Sequence, residues 1–235
     1  MAEYSERVVC FIDVLGWKHE VEAISEVSGM ADEDQLSRLN RALDKIESIL
    51  TESSGQFPSG FDVTHFSDSL IVSCPIETQG VVFQLLNRMQ LLQTVLIEED
   101  VLLRGGITIG KMFHVSSRVF GAGVNEAYKL ENEIAIYPRV IISPCVVEAV
   151  EKGVGIEHSS KEEMEYIDGL TSMDDDGQRF IDYFKKTECN FDPIDTYKDT
   201  YIPKIRAVIS NGLNNTDPNV LEKYQWLKDK VDLLG

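Results

Sequence analysis

The sequence predicts an α+β fold whose helices and strands alternate around a hairpin. Three observations favour it: a buried apolar strand near the amino end, two adjacent β-rich runs, and amphipathic stretches on either side of those runs. With 235 residues, 43% of them hydrophobic, the chain can bury one large core. The order strand, helix, hairpin, helix, strand is that of a ferredoxin-like sheet covered by helices.

The first half of the chain carries the clearest elements. Arg7–Val14 is a nearly continuous apolar run with β-branched residues, typical of a strand buried on both faces. Asp32–Thr51 repeats leucine and isoleucine at spacings of three and four, which predicts an amphipathic helix. Only three residues separate Phe61–Phe66 from Leu70–Cys74, which predicts a hairpin with Asp68 in or beside its turn.

The second half continues the alternation of helix and strand. Helical spacing of apolar residues, and a proline near a first helical turn, predict most of these elements. They are a helix at Thr78–Glu99, a strand at Leu102–Lys111, a helix at Gly121–Glu133, a strand at Arg139–Ser143, a helix at Pro144–Lys152, a β region between Gly153 and Phe184, and helices at Ile194–Gly212 and Asp217–Leu234. Because no repeat or low-complexity linker divides the chain, we expect residues 1–185 to form one domain and residues 186–235 a helical extension packed on it.

Charge and composition exclude several classes of function. The chain has 22 basic and 40 acidic residues, a net charge of −18, so we expect no binding to nucleic acid or to a membrane surface. No apolar stretch reaches the roughly 18 residues of a membrane span, and the amino end lacks a secretory signal, which predicts a cytoplasmic protein. Four cysteines without a C-x-x-C pair, and four histidines without metal-ligand spacing, predict no disulfide or zinc framework.

Two aspartates stand at places where a sheet can meet a ligand. Asp13 ends the first strand, and Asp68 lies at the tip of the hairpin. Either residue alone is explained by a local role, since aspartate commonly caps helices and stabilises turns. Together they predict a site for two divalent cations on a triphosphate, because such cations prefer carboxylate oxygens.

Four motifs, in order, resemble those of class III nucleotide cyclases. Phe11–Trp17 matches their Phe-x-Asp-hydrophobic-x-Gly-aromatic strand end, and Asp68 matches a second aspartate at a hairpin turn. Arg104–Gly110 matches an Arg-x-Gly-Ile-x-x-Gly strand. Phe120–Glu131 follows a helix that reads aromatic-Gly-x-x-x-Asn-x-Ala-x-Arg-x-Glu, with lysine in place of the arginine. The resemblance covers most of the chain to Ser143, so it implies that the main domain is a class III nucleotidyl cyclase catalytic domain.

The resemblance implies a set of site residues shared between two chains. In that family the two metal aspartates, here Asp13 and Asp68, hold two Mn²⁺ or Mg²⁺ ions with help from the carbonyl of Ile12. Asn125 would orient the ribose, and Lys129 stands where the family has an arginine that stabilises the transition state. Lysine supplies a point charge without the guanidinium fork. The metal ligands come from one chain and the other residues from its partner, which implies a head-to-tail homodimer with two sites.

Two further positions decide the base in adenylate cyclases, where they are lysine and aspartate. Here they are Thr64 and Arg118, so neither purine-reading residue is present. An arginine only donates hydrogen bonds, which suits the carbonyl oxygens of a pyrimidine and opposes the exocyclic amine of adenine. Phe66–Ser69, Arg104–Ile107 and Tyr137–Ser143 also resemble segments of the pyrimidine-specific Pycsar antiphage cyclases.

That resemblance implies a stand-alone bacterial enzyme that converts UTP to 3′,5′-cyclic UMP and pyrophosphate on phage infection and so activates a separate effector protein. CTP remains an alternative substrate, because uracil and cytosine both present hydrogen-bond acceptors. A second alternative is a nucleotide-binding sensor derived from the cyclase fold, since Lys129 replaces the usual arginine.

Overall fold

The computed structural model describes residues 4–26, 32–51, 60–191 and 196–234. These residues form one eight-stranded mixed sheet with helices on both faces. The strands are β1 (Ser5–Val14), β2 (Asp62–Phe66), β3 (Ser69–Pro75), β4 (Leu103–Val115), β5 (Arg118–Gly121), β6 (Val140–Ile142), β7 (Thr171–Met173) and β8 (Arg179–Ile181). The α-helices are α1 (Trp17–Glu26), α2 (Glu33–Thr51), α3 (Val81–Leu96), α4 (Ala122–Lys129), α5 (Pro144–Glu151), α6 (Ser160–Leu170), α7 (Ile202–Gly212) and α8 (Pro218–Asp232).

Four strands in the order β2–β3–β1–β4 form the antiparallel centre of the sheet. β1 and β2 run parallel on either side of β3, and helices connect β1 to β2 and β3 to β4. This is the split arrangement of a ferredoxin-like fold, so the predicted α+β class is confirmed. β6 then pairs in parallel with β4, and β8 and β7 extend that edge. The short β5 folds back on the far end of β4, and we call residues 112–121 the β4–β5 arm.

The two faces of the sheet are covered by different helices. From β1, Val8 and Ile12 belong to a large core that also contains side chains of α2, α3 and α5. Val9 packs on the opposite face with residues of α4. We call this second side of the sheet the α4 face. Because successive residues of a strand alternate between faces, Asp13 lies on the α4 face.

Two helices, α1 and α6, are absent from the sequence prediction. No described side chain of α1 is fully buried, so the apolar periodicity that would reveal this helix is weak. α6 begins with a capping box in which Ser159 and Glu162 each accept a hydrogen bond from the other's backbone amide. The β region predicted between Gly153 and Phe184 is therefore correct only in its second part, which contains β7 and β8.

The other predicted elements agree with the structure to within a few residues, and β4 is longer than predicted because it continues past Lys111 into the arm. The helix predicted at Ile194–Gly212 includes a π-helical turn, Tyr197–Tyr201, while residues 194 and 195 lie outside the described part of the chain. The division at residue 185 stays a prediction. Within the described ranges, no helix combines the length and the apolar character needed to cross a membrane.

The helices α7 and α8 pack on a second apolar cluster beside β6 and β8. The hydroxyl of Tyr201 donates to the carbonyl of Tyr183 at 2.6 Å. Trp226 of α8 stacks on Tyr137 with ring centres 5.4 Å apart. Leu130, which follows α4, belongs to the same cluster. These contacts bring α8 beside the segment that follows α4.

Candidate active site

Asp13 and Asp68 come together at one end of the sheet. Asp13 lies near the end of the central strand β1, directly across from Ser69 on β3 and Arg104 on β4. The hairpin turn is tied to the same place, because the Val14 amide donates to the Asp68 carbonyl at 3.0 Å. The turn carboxylate is thereby close enough to Asp13 for the two side chains to interact.

Glycines on β4 let α4 lie against the sheet beside this site. A Cβ atom on Gly106 would come within 2.4 Å of Cβ of Leu130. A Cβ atom on Gly110 would come within 2.7 Å of Cα of Gly123. Both distances are shorter than real contacts of a Cβ atom. The two glycines of the Arg-x-Gly-Ile-x-x-Gly motif are therefore required by the close packing of α4 on β4.

Arg104 lies between two carboxylates on the α4 face. Its Nε and Nη2 atoms are both 3.3 Å from Oδ2 of Asp13, and Nη2 is 2.7 Å from Oε1 of Glu131. The side chain of Glu131 is 3% exposed and that of Asp13 is 17% exposed. Asp68 and Lys223 of α8 lie within electrostatic range of these groups. We call these five residues the Arg104 cluster; it contains three carboxylates and two cations.

Burial and charge imbalance shift the pKa values in the Arg104 cluster. Burial raises the pKa of Asp13; Arg104 opposes the rise, and the neighbouring carboxylate of Asp68 adds to it. Burial also raises the pKa of Glu131, again against the attraction of Arg104. Burial, followed by repulsion from Arg104, lowers the pKa of Lys223. Since the carboxylates outnumber the cations, a further cation would be stabilised here.

Asp13, Asp68 and the carbonyl of Ile12 suit Mg²⁺ or Mn²⁺ by the type of their donor atoms. All three supply oxygen, and Mg²⁺ at nucleotide sites is commonly bound through one or two carboxylates together with phosphate oxygens. Among the described residues, no group of three or more His, Cys, Asp or Glu side chains is arranged to hold a metal. Two carboxylates and a carbonyl leave coordination positions for phosphate oxygens, so by donor type these residues fit a cation that is shared with a bound phosphate.

Asn125 and Lys129 lie about one turn apart on the exposed side of α4. The other side of this helix packs Val124 and Ala127 against the sheet. Within the described ranges, the side chains of Asn125 and Lys129 make no hydrogen bond or ion pair. Both side chains are therefore accessible to a second molecule.

Thr64 of β2 contacts the turn of the β4–β5 arm that leads to Arg118. The hydroxyl of Thr64 donates to the carbonyl of Ser116 at 2.7 Å, and Arg118 begins β5 two residues later. The side chain of Arg118 is exposed. The Thr64 hydroxyl is also 3.0 Å from Nε2 of His114, a buried histidine that no sequence motif singles out.

Three residues of the Arg104 cluster are missing from the sequence-predicted site. Arg104 and Glu131 occupy motif positions, but motif spacing does not show that the strand and the helix bring them into contact. Lys223 lies far beyond the last motif. The sequence gives one indication of its position. Lys223 is three and four residues before the buried Trp226 and Leu227, so it lies on the inner side of α8.

No known protein-family model matches this chain, and no curated protein matches it either. Solved structures match by fold. The adenylyl cyclase CyaB from P. aeruginosa has a TM-score of 0.51 and 15% identity, over 77% of this chain and 95% of that one. A class III adenylyl cyclase-like ATP-binding protein from Pseudomonas aeruginosa has a TM-score of 0.46 and 13% identity, over 69% of this chain and 40% of that one. A bacterial light-regulated adenylyl cyclase has a TM-score of 0.42 and 15% identity, over 63% and 45%. The likeness to CyaB shows that this chain has the fold of a class III cyclase.

Proposed function

We propose that this protein is a nucleotide cyclase that converts UTP to 3′,5′-cyclic UMP and pyrophosphate. The observation that carries the proposal is the Arg104 cluster, where a strand-end aspartate and a hairpin-turn aspartate lie side by side with an excess of negative charge. The fold shared with an adenylyl cyclase supports it, and so does the order of the four cyclase-like motifs.

In this reaction the ribose 3′-hydroxyl attacks the α-phosphorus of the same nucleotide, and pyrophosphate leaves. Because both reacting groups belong to one substrate, the protein has to position them and stabilise charge, and it needs no nucleophile of its own. Asp13, Asp68 and the Ile12 carbonyl would hold two Mn²⁺ or Mg²⁺ ions, which would neutralise the triphosphate and make the 3′-hydroxyl more acidic. Arg104 forms an ion pair with Glu131 and donates to Asp13, so it would orient the carboxylate of Asp13.

The active unit of this proposal is a head-to-tail homodimer. Asn125 would hold the ribose and Lys129 would stabilise the transition state, both acting on a nucleotide bound at the metal ligands of the other chain. Their exposure on α4 supports this arrangement. Large aromatic side chains are exposed nearby, since Tyr128 on α4 is 50% exposed and Phe120 on the arm is 57% exposed. Such residues are enriched in protein interfaces.

Base selection in this proposal belongs to Thr64 and Arg118. Arg118 donates only, so it suits a pyrimidine carbonyl, and its exposed position leaves it free to reach one. UTP is the favoured substrate and CTP the alternative. By its resemblance to the Pycsar enzymes, the protein would act in the cytoplasm in antiphage defence, with its cyclic product activating a separate effector protein. A nucleotide-binding sensor is the second candidate function, because Lys129 lacks the fork of the usual arginine.

The test is to incubate the pure protein with each of the four nucleoside triphosphates and Mn²⁺ and to identify the products by mass. We expect cyclic UMP as the main product, cyclic CMP next, and little cyclic AMP. Bound nucleotide without any cyclic product would favour the sensor. Faster formation of cyclic AMP or cyclic GMP than of either pyrimidine product would refute the base assignment and leave a cyclase.

The shared site predicts complementation between two inactive variants. Asp13→Ala removes a metal ligand and Asn125→Ala removes the ribose contact, so each homodimer has no intact site. A mixed dimer has one intact site, and we expect mixing to restore activity. The measurement is product formation after subunit exchange has been demonstrated with labelled chains. No recovery after exchange would mean that each site is built within one chain.

A further inference from the structure

A chain of hydrogen bonds crosses the α4 face from β1 to the tip of the β4–β5 arm. Nε of Arg7 donates to the Ser73 hydroxyl at 2.9 Å, and that hydroxyl is 2.8 Å from Nδ1 of His114. Nε2 of His114 is 3.0 Å from the hydroxyl of Thr64, which is 2.7 Å from the carbonyl of Ser116. We call these five residues the His114 relay.

The two ends of the His114 relay set the direction of every bond within it. A carbonyl only accepts, so the single hydroxyl proton of Thr64 is donated to Ser116. The bond between Thr64 and His114 must then come from an N–H at Nε2, and a neutral imidazole leaves Nδ1 as the acceptor. Ser73 therefore donates to Nδ1 while its oxygen accepts from the guanidinium of Arg7. With His114 neutral, only this one assignment of donors and acceptors allows all the bonds from Arg7 to Ser116 to form together.

Burial favours the neutral form of His114. The residue is 2% exposed, and burial lowers its pKa; attraction by Asp62 opposes the effect, and repulsion by Arg7 adds to it. Arg7 is itself held by Asp62 and by the Ser73 carbonyl at 3.2 Å. Thr64, at the other end of the relay, is only half-buried. Its hydroxyl is therefore fixed in direction where a ligand can reach it, with one lone pair unused.

We propose that His114 is a positioning residue for base selection: it holds the Thr64 hydroxyl so that Thr64 can accept a hydrogen bond from the substrate base but cannot donate one. This inference rests on the proposed function, in which Thr64 and Arg118 read the base. The two residues then offer the base one acceptor and one donor.

This pattern suits uracil better than cytosine. Uracil presents an N3–H donor between two carbonyl acceptors, so N3–H can donate to Thr64 while Arg118 donates to a carbonyl. Cytosine carries its donor on the exocyclic amine at C4 and has a bare N3 atom, so a cytosine ring held in the same position would direct the N3 lone pair at the lone pair of Thr64. A site whose polar groups fit one ligand loses affinity heavily for a ligand that leaves them unpaired. The His114 relay thus separates UTP from CTP, which Arg118 alone does not.

The test compares kcat/KM for UTP and for CTP in the full chain and in three variants. His114→Phe removes the donor to Thr64, and Ser73→Ala removes the donor to Nδ1 without altering any residue that reads the base. Thr94→Val is the matched control, because it removes a buried hydroxyl on α3 that lies 2.7 Å from the hydroxyl of Thr187. Inhibition by inorganic tripolyphosphate with Mn²⁺ reports triphosphate binding separately, and the melting temperature reports folding.

We expect the UTP to CTP ratio of kcat/KM to fall about tenfold in His114→Phe, the worth of one well-formed hydrogen bond, and less in Ser73→Ala. Tripolyphosphate inhibition should stay unchanged, and Thr94→Val should keep the ratio. An unchanged ratio in both relay variants, or a wild type that prefers CTP, would overturn the inference and leave the cyclase proposal standing.

Two controls separate failure of the relay from failure of the proposed function. If His114→Phe does not fold, the ratio in Ser73→Ala decides the question alone. If the wild type makes no cyclic nucleotide, the cyclase proposal fails, and the ratio of UTP to CTP dissociation constants in the same proteins then decides the relay. In that case, an equal ratio of dissociation constants in wild type and Ser73→Ala would overturn the role proposed for His114.

Discussion

The Arg104 cluster and a second arginine cluster beside α8 contain similar residue types, but their buried carboxylates differ in the number of cations that they contact. Arg139 is fully buried and bonds to both Asp174 and Asp176. Asp174 also accepts from Nε1 of Trp226 at 2.8 Å, and Nζ of Lys230 lies 2.5 Å from its other oxygen. We call these five residues the Arg139 cluster.

The carboxylates of the two clusters have pKa values shifted in opposite directions. Burial raises the pKa of Asp174, but hydrogen bonds, led by the one from Lys230, more than offset this and leave it below the ordinary value. In the Arg104 cluster the pKa values of Asp13 and Glu131 lie above the ordinary values, because burial outweighs the attraction of one shared guanidinium. The number of cations and donors at each buried carboxylate, rather than residue composition, therefore distinguishes the two clusters: Asp174 has Arg139, Lys230 and Trp226, whereas Asp13 and Glu131 share Arg104.

The largest expected effect tests the binding role of the Arg104 cluster. Asp13→Asn or Asp68→Asn should each lower cyclisation by at least about a thousandfold, because in the proposed reaction each carboxylate would be an anionic ligand of the metal that acts on the phosphate. Product formation at saturating Mn²⁺ measures the loss, with circular dichroism as the folding control. Near-normal turnover in either folded variant would remove the basis for treating this cluster as the metal site.

The second effect concerns stability, and here we expect the larger loss in the Arg139 cluster and the smaller loss in the Arg104 cluster. Asp174→Asn removes the buried carboxylate that pairs with both Arg139 and Lys230 and leaves these cations only the more exposed Asp176 and Asp175, so it should cost on the order of 3 kcal/mol of unfolding free energy. Asp13→Asn should cost less than about 1 kcal/mol, since Arg104 keeps its contact with Glu131. Urea denaturation of both variants measures the difference. Equal losses would contradict the division into a structural and a binding cluster.

The smallest effect concerns the contribution of α8 to the Arg104 cluster. Lys223 lies near Asp13 and Arg104, so we expect it to add positive potential where the triphosphate binds. Lys223→Gln should raise KM for the nucleotide about threefold to tenfold, since the charge is partly screened by solvent. Lys228→Gln is the matched control, because Lys228 lies on the same helix and pairs with Asp232. The same KM in all three proteins would assign α8 a packing role only.

The sequence by itself determined the parts of this protein that depend on local patterns. Apolar and β-rich runs predict the central strands, helical periodicity predicts most helices, and the short turn containing Asp68 predicts the hairpin. The sequence also shows the glycines of the β4 motif. Only the structure shows why glycine is needed there, which is the close packing of α4 on β4. The assignments of all the predicted site residues stay predictions that rest on the cyclase resemblance; these residues are Ile12, Asp13, Thr64, Asp68, Arg118, Asn125 and Lys129.

Only the tertiary structure decided which charged and polar side chains meet. Arg104 reaches Asp13 across two neighbouring strands, Lys223 arrives from a helix at the other end of the chain, and His114 bonds to Thr64 from a separate strand. Local propensity cannot encode these pairs, because charge balance and hydrogen-bond direction depend on distances between residues far apart in sequence. For the same reason motif spacing can indicate a ligand type, whereas the preference for one pyrimidine that we propose would depend on contacts of the buried His114 with Ser73 and Thr64 on other strands.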